Sequence, residues 1–127
     1  MYHINLFSSN ETTIQPMQRI IDYYDTEMKH IKRSYTLRNG MKDGMFTEYF
    51  MNGQISSMKE YKRNTPTGKM IHYYENGRLK TSVDYNLNGE QHGKQVIYYS
   101  NGNIFKIIQY SNGLPHGKWF SYYDDTN

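Results

Sequence analysis

The chain repeats itself. GKMIHYYENGRLKTSVDYNLNGEQHG runs from Gly68 to Gly93 and returns as GKQVIYYSNGNIFKIIQYSNGLPHG from Gly93 to Gly117. A half copy, GKWFSYYDDTN, follows, and a looser copy starts upstream at Gly44. A worn copy begins near Tyr23 as YYDTEMKHIKRSY. The starts Gly44, Gly68, Gly93 and Gly117 lie 24, 25 and 24 residues apart, and the pairs Tyr23-Tyr24, Tyr49-Phe50, Tyr73-Tyr74, Tyr98-Tyr99 and Tyr122-Tyr123 keep the same beat. A fixed period of this length means one small structural unit stacked on itself, so it decides the architecture before any other feature.

The unit is a β-hairpin. Asn52-Gly53, Asn76-Gly77 and Asn101-Gly102 each stand between alternating apolar residues. Asn-Gly in that setting predicts a two-residue type I′ turn, which needs positive φ at both central positions. Second turns at Asn64–Thr67, Asn88–His92 and Asn112–His116 join one unit to the next, with Pro66 and Pro115 inside them. In the worn copy Thr26-Glu27 replaces Asn-Gly, so its turn must differ. Residues 1–19 do not repeat; Tyr2–Phe7 reads as a short strand, Ser8–Thr13 as loop, and Met17–Tyr24 as the first repeat strand. The fold class is therefore all-β: a meander of short antiparallel strands, two per repeat, with a non-repeat segment at 1–19 and a repeat domain at 20–127.

A two-residue turn at Asn76-Gly77 also assigns the faces. It sets Tyr74 against Leu79, Met70 against Val83 and Gly68 against Tyr85. A first face then carries Met70, His72, Tyr74, Leu79, Thr81, Val83 and Tyr85, with Phe50, Ile55, Ile97, Ile104 and Ile108 in the neighbouring units. The second face carries Lys69, Ile71, Tyr73 and Lys80, then Lys94, Val96, Tyr98, Phe105 and Ile107. The repeat-opening glycines lie opposite Tyr61, Tyr85 and Tyr110, where a missing side chain leaves room for each ring.

The unit G-K-x-x-x-Y-Y-x-N-G-x-[I/L] resembles the MORN repeat, in the variant seen in bacterial proteins labelled as antitoxins. The resemblance covers about residues 20–127 and is carried by the three central copies. It implies an elongated, single-layer, twisted antiparallel sheet of hairpins with a binding or scaffolding role. The repeats of that family are linked to phospholipid binding, to self-association and to positioning partner domains, and they share no catalytic residues.

Composition agrees with a thin, aromatic structure. The hydrophobic fraction is 36%, the aromatic fraction 16%, and 14 residues are tyrosine. Disordered chains are poor in aromatics. There is no cysteine, hence no disulfide and no thiolate zinc site. No segment has the ~18–20 apolar residues of a membrane span, and no signal peptide is evident, which leads to the expectation of a cytoplasmic protein. The net charge of +3 is mild and disfavours nucleic acid as the principal partner.

Three sets of side chains are candidates for function. Tyr49, Tyr73, Tyr98 and Tyr122, with Phe105 and Ile107, make an amphipathic surface of the kind found at protein-binding hot spots. Lys69, Lys94 and Lys118 form a basic column that fits an anionic phospholipid surface. His92 and His116 occupy equivalent turn positions, ~10 Å apart in a sheet and too far for one metal ion, and His72 lies elsewhere in its unit. There is no nucleophile elbow and no phosphate-binding glycine loop, and Glu48, Glu75, Glu90, Asp124 and Asp125 are scattered. The expectation is a non-enzymatic chain without cofactor that binds a protein partner or itself, as in a homodimer. Leaving ~500 Å² of apolar sheet uncovered would forgo roughly 12 kcal/mol, which favours a covered face.

Overall fold

The computed structural model describes residues 2–7 and 16–124. Within them there are twelve strands in one antiparallel sheet. They are β1 (Tyr2–Phe7), β2 (Met17–Tyr23), β3 (Ile31–Arg38), β4 (Met41–Lys42), β5 (Gly44–Tyr49), β6 (Ile55–Lys62), β7 (Thr65–Tyr73), β8 (Leu79–Tyr85), β9 (Gln91–Tyr98), β10 (Ile104–Ser111), β11 (Leu114–Pro115) and β12 (Phe120–Ser121). The order follows the chain, with β4 paired to β3 and both β11 and β12 paired to β10. The hairpin meander read from the repeat is thus the observed architecture, and Tyr2–Phe7 and Met17–Tyr23 are strands. β1 extends the sheet at its edge, Tyr2 opposite Tyr23 and Phe7 opposite Gln18, so it covers neither face. The loop expected at Ser8–Thr13 lies outside the described residues.

One layer buries little. Among the described residues, Ile20 and Val83 are the only buried hydrophobic side chains. The accessible surface is 8633 Å², whereas a globular chain of 15.2 kDa exposes about 7,100 Å². What replaces a core is contact between neighbouring units. On the first face Tyr35 stacks on Phe46 at 4.7 Å, and Phe46 meets Tyr61 edge-on at 5.9 Å.

The hairpin turns differ from the two-residue form. Tyr74 N–H donates to the Arg78 carbonyl (2.8 Å) and Gly77 N–H to the Tyr74 carbonyl (2.9 Å), which encloses a loop of Glu75, Asn76 and Gly77. Phe50 to Gln54 and Tyr99 to Asn103 repeat the pattern. Gly77 has φ +85, whereas Asn76 is not in the left-handed region. This is the three-residue hairpin, a type I turn closed by a left-handed residue. Asparagine has another task here. Its Oδ1 accepts the N–H two residues on, Gln54 (2.9 Å), Arg78 (2.9 Å) or Asn103 (2.8 Å), closing an Asx turn. In the worn copy Asp25 does the same, accepting from Lys29 N–H (3.0 Å) and His30 N–H (3.2 Å) across a longer loop. Type I′ turns stand at the opposite edge of the sheet. Asn39-Gly40, Arg63-Asn64 and Asn112-Gly113 each have both residues at positive φ. The turns at Arg63-Asn64 and Asn112-Gly113 are shorter than expected, so Pro66 and Pro115 fall in strands, opposite Tyr61 and Tyr110. The turn expected at Asn88–His92 is instead a three-residue loop of Leu87, Asn88 and Gly89, closed by Asn86 N–H to the Glu90 carbonyl (2.8 Å).

The extra loop residue moves side chains between faces. The expected register holds from Gly68–Tyr85 to His72–Thr81 and then shifts, so that Tyr73 pairs with Leu79 and Lys80 is left as a bulge. The same shift follows Asp22–Arg33, Glu48–Ser57 and Ile97–Lys106, leaving Lys32, Ser56 and Phe105 as bulges. Ile55, Leu79 and Ile104 therefore belong to the second face, not the first. Lys80 and Phe105 belong to the first, not the second. The Lys80 ammonium lies 5.4 Å from the Tyr74 ring, and Phe105 packs on Tyr99 at 5.0 Å.

The repeat-opening glycines also serve differently from the expectation. A Cβ on Gly44 or Gly93 would meet nothing within 4 Å, so ring clearance is not the constraint. Their φ values of +101 and +89 are, because a second bulge joins the units there.

Tyrosine hydroxyls tie unit to unit. Tyr24 donates to the Tyr49 carbonyl (2.6 Å), Tyr74 to that of Tyr98 (2.7 Å) and Tyr99 to that of Tyr122 (2.9 Å). Phe50 holds the equivalent position without a hydroxyl. Phe50→Tyr is expected to supply the missing link to the Tyr73 carbonyl and to raise stability by about 1 kcal/mol in urea denaturation. Tyr74→Phe is expected to lower it by a similar amount.

Candidate functional site

The bulges make the second face a graded surface. Nearest the hairpin turns runs a band that alternates aromatic and aliphatic from strand to strand: Tyr23 opposite Ile31, Tyr49 opposite Ile55, Tyr73 opposite Leu79, Tyr98 opposite Ile104. The tyrosines are half-buried, but Ile31, Ile55 and Ile104 remain 37%, 36% and 38% exposed. A middle band holds Met58, Ile71, Val96 and Ile107, with Ile107 opposite Phe120. The far band is charged and includes Lys69, Asp84 and Lys94.

Two depressions open in the tyrosine band, and they are repeats of one another. One, of about 400 Å³, is lined by Ile31, Tyr49, Met51 and Gly53, with Lys29 and His30 at its rim. The next, of about 370 Å³, is lined by Gly53, Gln54, Ile55, Tyr73 and Gly77. Tyr49 and Tyr73, Ile31 and Ile55, and Gly53 and Gly77 are equivalent positions. Aliphatic walls, a tyrosine with its polar tip and a turn glycine are suited to holding an apolar side chain from outside.

Tyr49, Tyr73, Tyr98, Tyr122 and Ile107 thus share one face. Phe105 does not; its bulge turns it to Tyr99 on the other side. Ile55, Leu79 and Ile104 are members that the sequence reading put on the other face, because it had no signal for the third loop residue; Ile31, in the worn copy, it did not assign. Lys69, Lys94 and Lys118 are exposed. Lys69 lies 3.6 Å from Asp84, and Lys118 precedes β12, so only part of the column is a free basic row. Asn112 N–H approaches His92 Nδ1 at 3.4 Å, which makes His92 a turn residue. Among the described residues no three His, Asp or Glu side chains converge on a metal-sized site. No helix is long and apolar enough to cross a membrane.

The first face is polar along its middle. Arg33 Nε stands 3.3 Å from the buried carboxylate of Asp22, and Ser57 Oγ donates to Glu48 Oε1 at 3.1 Å. His72 follows in the same row. Burial, then the Lys80 charge, pushes its pKa below the ordinary 6.5, while Glu48 pulls the other way. A histidine depressed in the fold binds fewer protons folded than unfolded, so stability rises with pH through this window. The urea midpoint is expected to fall as pH drops below about 6.5. His72→Gln should flatten that dependence; an unchanged slope in the variant would assign it elsewhere.

The family model for the MORN repeat variant matches residues 66–87 and 91–112, about a third of the chain. No curated protein sequence matches. Among solved structures, a mutant of S. aureus TarM crystallised with fondaparinux, α-GlcNAc-glycerol and UDP is similar over 94% of this chain and 21% of its own, at 12% identity and a TM-score of 0.50. At that identity the likeness is one of fold, and this chain corresponds to only a fifth of that protein. The matched segments coincide with the hairpins β7–β8 and β9–β10, where sequence and geometry repeat most closely. Residues 66–87 and 91–112 thus match the MORN repeat variant, and the hairpins β2–β3 and β5–β6 carry the same bulge.

Proposed function

We propose that the chain is a non-enzymatic protein-interaction module, and that the tyrosine–aliphatic band of the second face is its binding surface. MORN repeats are generally protein- or membrane-interaction modules. The observation that carries the protein reading is the alternation of half-buried Tyr49, Tyr73 and Tyr98 with Ile55, Leu79 and Ile104, of which Ile55 and Ile104 are exposed, together with its two equivalent depressions. Exposed apolar bands of this extent mark interaction sites on soluble proteins. An antitoxin-like or scaffold role is the form that fits such a surface, with either a separate protein or a second copy as partner. The phospholipid reading through Lys69, Lys94 and Lys118 has less support, since Asp84 partly neutralises Lys69.

Pull-down from source cells together with light scattering tests the proposal, using wild type beside Ile55→Asp. A stoichiometric partner or a stable homodimer that the variant loses, with its fold intact, supports the reading. A wild-type monomer that captures nothing, or an association indifferent to Ile55→Asp, contradicts it.

A further inference from the structure

We propose a second site on the opposite, first face: a docking surface for an extended acidic peptide segment. It adds to the partner surface of the second face and does not depend on it. The chain's charge is distributed unevenly. Lys32, Arg33, Lys42, Lys59, Lys80 and Lys106 all stand on the first face, against the carboxylates Asp22 and Glu48. That face is more positive than the whole chain, whose net charge is +3. Both carboxylates are occupied, Asp22 by Arg33 and Glu48 by the Ser57 hydroxyl.

The lysines are held in place. The Lys42 ammonium sits 4.9 Å from the Phe46 ring and 5.0 Å from the Tyr61 ring. Lys59 lies between Tyr61 (5.8 Å) and Tyr85 (5.4 Å). Lys80 covers Tyr74 at 5.4 Å and Lys106 covers Trp119 at 4.3 Å. A stem laid along a ring has lost rotamer freedom before any ligand arrives, so less is lost on binding. Ammonium donors not directed at the ring remain available to carboxylates.

The same geometry selects among polyanions. Sequence-independent binding of single-stranded nucleic acid uses bare aromatic faces for base stacking. Here the central rings Tyr61, Tyr74 and Tyr85 are capped by lysine. Recruitment to an anionic bilayer uses basic side chains that reach outward, whereas these lie along the sheet. Carboxylates on an extended backbone need neither bare rings nor protruding amines. From Lys59 on β6 to Lys106 on β10 the sheet spans about 19 Å, the length of about six extended residues.

Fluorescence anisotropy with a labelled ten-residue polyglutamate peptide tests the site. Wild type is expected to bind, with affinity falling as salt rises from about 50 to about 200 mM. The Lys42→Gln/Lys59→Gln/Lys80→Gln variant should bind about tenfold or more weakly, since each lost cation removes part of the attraction. The corresponding triple arginine variant, which keeps charge and ring contact, should bind as wild type does. Should the glutamine triple fail a thermal melt, Lys80→Gln alone is read for a loss of about threefold. No binding of polyglutamate at low salt would overturn the proposal, as would undiminished binding by the glutamine variants. So would tighter wild-type binding of a ten-nucleotide oligo-dT or of phosphatidylserine vesicles. Ile55→Asp should leave polyglutamate affinity unchanged, which separates failure of this site from failure of the tyrosine band.

Discussion

Val83→Asp is expected to unfold the central repeats. Val83 is 1% exposed and is the only large side chain buried to that degree among the described residues. It faces Met70 on β7, and on the other side residues 93–95 of β9 stand against it at the bulge between Ser82–Val96 and Asp84–His92. It therefore joins two consecutive repeats. A carboxylate there would be removed from water without a partner, at a cost of several kcal/mol. The whole stability of a chain this size is about 5–15 kcal/mol, and a single-layer sheet has no deeper core to compensate. Circular dichroism in urea should show the variant largely unfolded without denaturant. Val83→Ala, which removes methyl groups and leaves a small cavity, should cost about 1–2 kcal/mol and stay folded. A Val83→Asp protein within about 1 kcal/mol of wild type would mean the sheet does not close over this residue.

Replacing Tyr49, Tyr73 and Tyr98 together by alanine is expected to weaken partner binding or self-association by 100-fold or more. The warrant is position. These rings stand in a row on one face beside exposed aliphatics, and buried aromatic anchors commonly contribute more than 1 kcal/mol each at interfaces. The fold should survive, because the inter-unit hydrogen bonds run from the hydroxyls of Tyr24, Tyr74 and Tyr99 to backbone carbonyls of Tyr49, Tyr98 and Tyr122. An alanine keeps its carbonyl. The converse variant, Tyr74→Phe/Tyr99→Phe, should lower the urea midpoint and leave binding unchanged. On the proposed reading, adjacent tyrosines of one dipeptide have separate tasks, one in binding and one in holding the stack. A titration in which the two variants gave the same affinity would remove that division.

The period, the hairpins and the meander were legible because the repeat dictates them. Pairings near the unit starts, such as Gly68–Tyr85 and Met70–Val83, were legible for the same reason. The faces near the turns were not. Asn-Gly is compatible with a two-residue loop at Asn39-Gly40 and Asn112-Gly113 and with a three-residue loop at Asn76-Gly77, and the sequence of the dipeptide is identical in both. One added loop residue must be absorbed by a bulge, and the bulge reverses the side on which Leu79, Lys80, Ile104 and Phe105 emerge. The error is small in register and large in consequence. It hid three aliphatic residues of the tyrosine-bearing face, Ile55, Leu79 and Ile104, and placed Phe105 on that face instead. The lysine–ring contacts of the first face were hidden too, since Lys59 and Tyr85 belong to different units and meet only when the sheet is assembled.

Nuclear Overhauser contacts between ring and methyl protons test the central claim most directly, because the proposed binding surface exists only if the bulges do. The bulged hairpin predicts that the Tyr73 ring meets the Leu79 methyls and the Tyr98 ring those of Ile104. Contacts from Tyr74 to Leu79 and from Tyr99 to Ile104 instead would show the two-residue turn, return those aliphatics to the lysine-bearing face and contradict the account.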